Sequence, residues 1–250
     1  MTINKYSTPN KWNGRTFYGK TWIPDIIVCH IAEGTYNGTI AWEQNSSSRV
    51  SSHFIVGQDG RIAQMVDLKD TAWCNGTSTN PKDSTYYGYA TAKLVRERKT
   101  NANYYTISIE NEGFYAKTRG ELTPKQLEAE IDLIAYIITE VKRIWGVTIP
   151  VDRNHIIGHY EVTPKTKPHC PGEKFQWNAV ISGVKHKLGG ENVFNDVNEK
   201  HWAYKYIKQL KELGIVAGDG NGNFNPDKPA TKAEVATMLA KMYDILKGGT

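Results

Sequence analysis

Asp25-Ile26-Ile27-Val28-Cys29-His30 decides how this chain folds. Its apolar run is continuous rather than alternating, the pattern of a strand covered on both faces. It ends on a histidine, at the point where a strand hands its side chains to a cleft. Downstream, His53–Val56 and Arg61–Val66 flank Gly57-Gln58-Asp59-Gly60, a hairpin signal. Tyr104–Glu110 alternates, with Tyr105, Ile107 and Ile109 set against Thr106, Ser108 and Glu110, which predicts a half-buried strand. A long helix begins after Thr123. Pro124 suits its first turn, and Gln126 completes a capping box with Thr123. Its apolar face is Ile131, Leu133, Ile134, Ile137, Ile138, Val141 and Ile144, and Gly146 ends it. A second helix is expected from Phe175 to Leu188. Strands and helices interleave, so the expected class is α/β, with a mixed central β-sheet flanked by helices.

The chain has 250 residues, room for one large domain or a medium and a small one. With 39% hydrophobic and 23% charged residues it has the profile of a globular protein. No apolar run approaches the roughly 20 residues of a membrane span. Met1-Thr2-Ile3-Asn4-Lys5-Tyr6 carries no apolar signal core. Synthesis in the cytoplasm is therefore expected, with another route of export for any work done outside it. Cys29, Cys74 and Cys170 are too few for a disulfide framework and leave a thiol for other work. The sequence shifts character near residue 189, where Gly189-Gly190-Glu191-Asn192 reads as a linker. From Glu191 onward eight lysines balance eight acids, so the net charge of +5 belongs to the first region. That is a mild attraction to polyanions, and no nucleic-acid partner is expected. The division is residues 1–188, a linker at 189–192, and 193–250.

Chemistry concentrates in Gly158-His159-Tyr160-Glu161 and Lys167-Pro168-His169-Cys170-Pro171-Gly172. With His30, these offer two imidazoles and a thiolate, enough to hold zinc and leave its fourth position to water. An open zinc site is most often hydrolytic. Spacing alone leaves open whether the three meet or are three structural residues. Glu110, at the end of an apolar strand, is the candidate base, since burial would raise its pKa toward the working range. An exposed strand-end carboxylate gives the same pattern.

Six segments in order then carry a resemblance: Ile27-Val28-Cys29-His30, Ser51-Ser52-His53-Phe54-Ile55-Val56 with Asp59-Gly60-Arg61-Ile62, Ala72-Trp73-Cys74-Asn75-Gly76, Ser108-Ile109-Glu110, Ile157-Gly158-His159, and Cys170-Pro171-Gly172. Residues 20–188 resemble the type-2 N-acetylmuramoyl-L-alanine amidases, whose fold is shared with phage amidases and peptidoglycan recognition proteins. The resemblance implies Zn2+ on His30, His159 and Cys170, with Glu110 as the catalytic acidic residue. It implies cleavage of the amide between N-acetylmuramic acid and L-alanine in peptidoglycan, as an endolysin does. The alternatives are a bacterial autolysin with the same chemistry and a non-catalytic peptidoglycan-binding relative, a class that commonly lacks the ligand cysteine. The family often places Lys or Thr two positions before the third ligand; here that position is Pro168, which leaves Lys167, His169 or neither in that role. Lys167 is taken as a second catalytic candidate. The family's usual histidine after Trp73 is here Cys74. His53, Trp73 and Cys74 are the expected substrate-groove residues, with a structural role equally open for His53 and with Tyr86-Tyr87 as further contacts. Trp12 and Phe17 are expected only to cover the core.

In the second region Tyr204, Ile207, Leu210 and Leu213 repeat at helical spacing up to Gly214, and Thr231-Lys232-Ala233-Glu234 caps another helix. Val193-Phe194-Asn195-Asp196-Val197, His201-Trp202-Ala203, Gly214–Gly218, Phe224-Asn225-Pro226 and Thr231–Glu234 resemble one S-layer homology motif. That implies binding to a secondary cell-wall polymer. Lys232 stands where the family usually has Arg, keeping the charge without the bidentate fork. Asp219, Asn221 and Asn223 open like a calcium loop, but no bidentate Glu follows at the required distance. Trp202 reads as core.

Overall fold

The computed structural model describes residues 1–189, 193–198 and 201–248. The linker expected at 189–192 lies outside the described residues except for Gly189. Two compact units are present, Met1–Val184 and Lys185–Thr250.

The first unit opens with β1 (Ile3–Lys5), β2 (Lys11–Trp12), β3 (Thr16–Phe17), β4 (Lys20–Thr21) and β5 (Ile26–Ile31). Then come α1 (Tyr36–Gln44), β6 (Phe54–Val56), β7 (Ile62–Gln64), β8 (Thr71–Ala72), α2 (Lys93–Arg98) and β9 (Thr106–Asn111). They are followed by α3 (Tyr115–Thr118), α4 (Pro124–Trp145), β10 (Ile156–Gly158), α5 (His159–Val162) and α6 (Trp177–Gly189). The main sheet runs β1-β7-β6-β9-β5-β10. Within this sheet only the β6–β7 hairpin is antiparallel; β10, β5, β9 and β6 run parallel. This is the expected mixed sheet with helices against it.

β5 is buried from Ile26 to His30 because both faces are covered. Ile27 and Cys29 join Ile107, Ile109, Leu133, Ile134 and Ile137 in the cluster beneath α4. Ile26 and Val28 face the other way, toward Val95, Tyr105, Ile157 and Val162. By the two-residue period, His30 lies on the side opposite α4. β9 differs from expectation: it starts at Thr106, after a 3-10 turn over Ala102–Tyr105, and is buried on both faces rather than half-buried. A central parallel strand with helices on both sides has no wet face. α4 keeps its expected bounds. Thr123 Oγ1 accepts from Gln126 N at 3.1 Å, but the Gln126 amide donates to Val56 O and Glu112 O instead of closing the box.

α4 also carries Glu130 into the core, fully buried. Burial raises its carboxyl to about 7, a rise that the Cys29 thiol and the Asn111 amide beside it oppose. The folded chain therefore holds that proton more tightly than the unfolded one. Stability conferred by the neutral group is complete below about pH 4.5 and is lost as pH rises toward 7. Glu130→Gln is expected to flatten this dependence. Urea melts should show its stability relative to the native chain improving by about 2.5 kcal/mol between pH 5 and pH 8. Parallel profiles for the two proteins would overturn this account of Glu130.

The N-terminal segment is stapled across the first unit by Arg15, only 3% exposed. It donates from Nε to Leu68 O at 2.7 Å and from one terminal nitrogen to Tyr104 O and Thr106 O. The other terminal nitrogen lies 2.7 Å from His53 Nε2. Burial lowers Arg15 to about 9, against the pull of Asp70 and Asp67.

The second unit contains α7 (Tyr204–Glu212) and α8 (Lys232–Gly248). Val193, Phe194, Val197, Ile207, Ile215 and Val216 form its small core. The second capping box is reciprocal: Thr231 N donates to Glu234 Oε2 at 2.7 Å and Glu234 N to Thr231 Oγ1 at 3.2 Å. Asp219 Oδ1 accepts from the backbone N–H groups of Asn221 and Asn223, so the alternating polar residues serve the loop itself. Trp202 is 82% exposed, not core as expected. This unit is too small to enclose every aromatic side chain it carries.

Candidate metal centre

Strand register builds the site. His30 pairs with Glu110 across β5 and β9, and Gly158 with Cys29 across β10 and β5. The three strands are parallel, so His30, Glu110 and the next residue on from Gly158, His159, all arrive at their carboxyl ends. In open α/β sheets that edge is where ligands bind. Cys170 comes from the loop after α5, which Tyr160 N anchors by donating to Cys170 O at 2.9 Å. Ile31 N donates to Cys170 Sγ at 3.4 Å. Gly172 sustains that loop with φ 128°; a Cβ there would stand 2.1 Å from Arg119 O.

His30, His159 and Cys170 each offer a donor atom, and these atoms lie within 4.8 Å of one another. The imidazole rings meet edge to face, centroids 4.4 Å apart. Burial lowers His30 to about 3, and Lys167 pushes the same way. Burial lowers His159 far below the ordinary range, aided by His30 and Lys167. Both rings are neutral at physiological pH, with a lone pair to give. His30 Nε2 and His159 Nδ1 are buried with no hydrogen-bond partner. Buried polar atoms without partners are costly, and a cation accepting both lone pairs removes that cost. Two imidazoles and a thiol suit a tetrahedral, borderline-soft ion. Burial holds the Cys170 thiol up, with Glu110 raising it further. An ion that draws off the proton reverses that balance.

Glu110 Oε1 is 3.6 Å from His30 Nδ1, and Oε2 has no partner. Burial raises this carboxyl to about 8, with a further push from Glu43 and an opposing pull from Lys167. Cys74 lies close as well: its sulfur, a His30 nitrogen and a Glu110 oxygen fall within 4.8 Å of one another. These groups open onto a cavity of about 610 Å³. Lys167, Trp73 and Cys74 line it.

His53 is not in the cavity wall. It is 1% exposed, with Arg15 2.7 Å from its Nε2, and its Nδ1 accepts from Ser108 N at 3.1 Å and lies 3.0 Å from Ser108 Oγ. The expected groove residue is instead a buried tie between the N-terminal segment and β9. Tyr86 and Tyr87 do not line the cavity, and His169 stacks on Tyr115 instead. Several lining residues escaped the sequence reading, Trp12 among them. Glu43 is another, its carboxylate accepting from Ser52 N and Ser52 Oγ and raised by burial to about 7. Its signal was present: Tyr36, Thr39, Ile40 and Glu43 share the buried stripe of α1, so an acid sits at a core position.

Residues 20–173 match the N-acetylmuramoyl-L-alanine amidase family profile, and residues 193–236 match the S-layer homology domain. N-acetylmuramoyl-L-alanine amidase A of Achromobacter lyticus is 34% identical over 163 residues, spanning 61% of this chain and 78% of that protein. An uncharacterized cell wall amidase of Bacillus anthracis is 36% identical over 67 residues, 27% of this chain and 12% of that protein. In structure, PlyL superposes with a TM-score of 0.50 at 19% identity, covering 74% of this chain and 97% of PlyL, which bears on the fold.

Proposed function

We propose, from the premise that the chain belongs to the N-acetylmuramoyl-L-alanine amidase family, that it cleaves the bond between the lactyl carbonyl of N-acetylmuramic acid and L-alanine with zinc held by His30, His159 and Cys170. The observation that carries this is the convergence of those three donors beside the unpartnered Oε2 of Glu110. Zinc would supply a Lewis acid for the amide carbonyl and would lower the pKa of attacking water.

The chain's own residues do the rest. His30 and His159 remain neutral, and Cys170 gives up its proton on loading. Glu110 takes the proton of the attacking water on its free oxygen and returns it to the departing alanine nitrogen. A carboxyl raised by burial can hold that proton between the two events. Lys167 presents an ammonium toward the developing oxyanion. Pro168, where the family often has Lys or Thr, offers no such group, and Lys167 is the neighbouring cation that lines the cavity.

Digestion of purified walls tests the reaction. New L-alanine amino termini without new reducing sugars are expected; new reducing ends would identify a glycosidase instead.

The second unit carries the S-layer homology domain, a cell-wall-binding family. We infer that its target is an anionic secondary polymer, met in part by exposed Lys232 at the start of α8. With lysis blocked by Glu110→Gln, the full chain is expected to pellet with native walls several-fold better than with walls stripped of that polymer. Equal pelleting would refute the polymer as target.

A further inference from the structure

The family match begins at residue 20, yet the cavity wall includes a residue from ahead of it, Trp12. β2 carries Trp12 there by pairing with β8, Trp12 opposite Thr71 and Lys11 opposite Ala72. Lys11 forms an ion pair with Asp70, and Gly14 N donates to the same carboxylate at 2.9 Å. The indole stacks flat on Tyr104, centroids 5.1 Å apart and planes within 5°, and leans on Trp73 at 5.3 Å and 55°. Tyr104 is backed in turn by Phe17 at 4.6 Å. Despite these contacts Trp12 remains 39% exposed. A tryptophan that only covered a core would be closed over; this one is braced from behind and left open toward the cavity.

Its surroundings identify the occupant. Trp73, which the indole touches, lines the cavity together with the uncharged Ser51, Gly76 and Asn103. Of the charged lining residues Glu33, Glu43, Arg49, Glu110 and Lys167, three (Glu33, Glu110 and Lys167) act on Cys170, at the donor cluster. A stem peptide carries carboxylates and an amine, and finds its complements on that charged side. A pyranose ring presents an apolar C–H face and a rim of hydroxyls. It matches an aromatic platform edged by a hydroxyl and an amide.

We infer that Trp12 is a specificity-determining residue: its open indole face stacks on the saccharide ring on the glycan side of the scissile amide. This rests on the amidase reading and adds that the enzyme reads sugar as well as peptide, through a segment outside the family match.

Two synthetic substrates sharing the same scissile amide separate the possibilities: N-acetylmuramoyl-L-alanyl-D-isoglutamine and D-lactyl-L-alanyl-D-isoglutamine. The full-length zinc-loaded chain is expected to prefer the sugar-bearing one. Trp12→Ala should raise KM for that substrate roughly threefold to tenfold, the range of one aromatic stacking contact, with kcat unchanged and the lactyl peptide unaffected. Trp12→Phe should keep most of the preference. Equal losses on both substrates would make Trp12 merely structural, a KM effect on the lactyl peptide as well would make it a peptide platform, and no effect would remove it from recognition; each overturns the inference while the amidase reading stands. Release of no L-alanine amine from either substrate by the unaltered chain would overturn both.

Discussion

Exchanging Glu110 for glutamine is expected to cut turnover on purified walls by about 10³-fold while the chain keeps its zinc and its fold. Glutamine preserves the size of the side chain and its place across from His30 in the sheet register. It removes one capacity, that of taking a proton on the oxygen that has no partner in the fold. Ground-state binding should change little, so the loss should fall on kcat. Zinc content by elemental analysis and the thermal midpoint serve as controls. Retention of more than about a tenth of native lysis would dismiss Glu110 as the base and turn attention to Glu43, the other buried carboxyl facing the cavity.

The second large effect is expected from Cys170→Ser. A serine hydroxyl does not ionise near neutrality and is a poor match for a borderline-soft ion. Even partners outside the coordination sphere change metal affinity 10–100-fold, so loss of a ligand should weaken binding by more than about 100-fold. Zinc at 100 times its Kd should stabilise the native chain by about 2.7 kcal/mol, seen as a rise in melting temperature that the variant lacks. The same chemistry sets a pH dependence. Burial holds the Cys170 proton tightly, so protons compete with the ion and zinc affinity should fall as pH drops. Stoichiometric metal in the serine variant would exclude Cys170 from the ligand set.

Much of this was legible in the chain because the signals were local. The unbroken run before His30 announced a strand covered on both faces, and Thr123-Pro124 with Gly146 marked both ends of α4. The donor set could be named from short segments, but their meeting depends on β10 lying beside β5, which no local pattern encodes. The misses share one cause. Gln126, His53 and Trp12 take partners 14 or more positions away in the chain, and those partners decide what each does. Gln126 ties the end of β6 to the residue after β9 instead of closing its own cap, and His53 is held by Arg15, the structural one of its two readings. The same sheet contacts that bury β9 on both sides explain why its alternating pattern misled: polarity at Thr106 and Ser108 is met by internal hydrogen bonds rather than by water.

Arg15 has a practical consequence for anyone exchanging lytic modules between wall hydrolases. A splice made at residue 20, where the family match begins, would discard the guanidinium that grips Leu68, Tyr104, Thr106 and His53 together. Four carbonyl or ring acceptors would be orphaned at one stroke, and the graft would inherit a hole where its donor had a rivet. The transferable cassette therefore starts upstream of that arginine, with the short strand Ile3–Lys5 still riding on the sheet's outer edge.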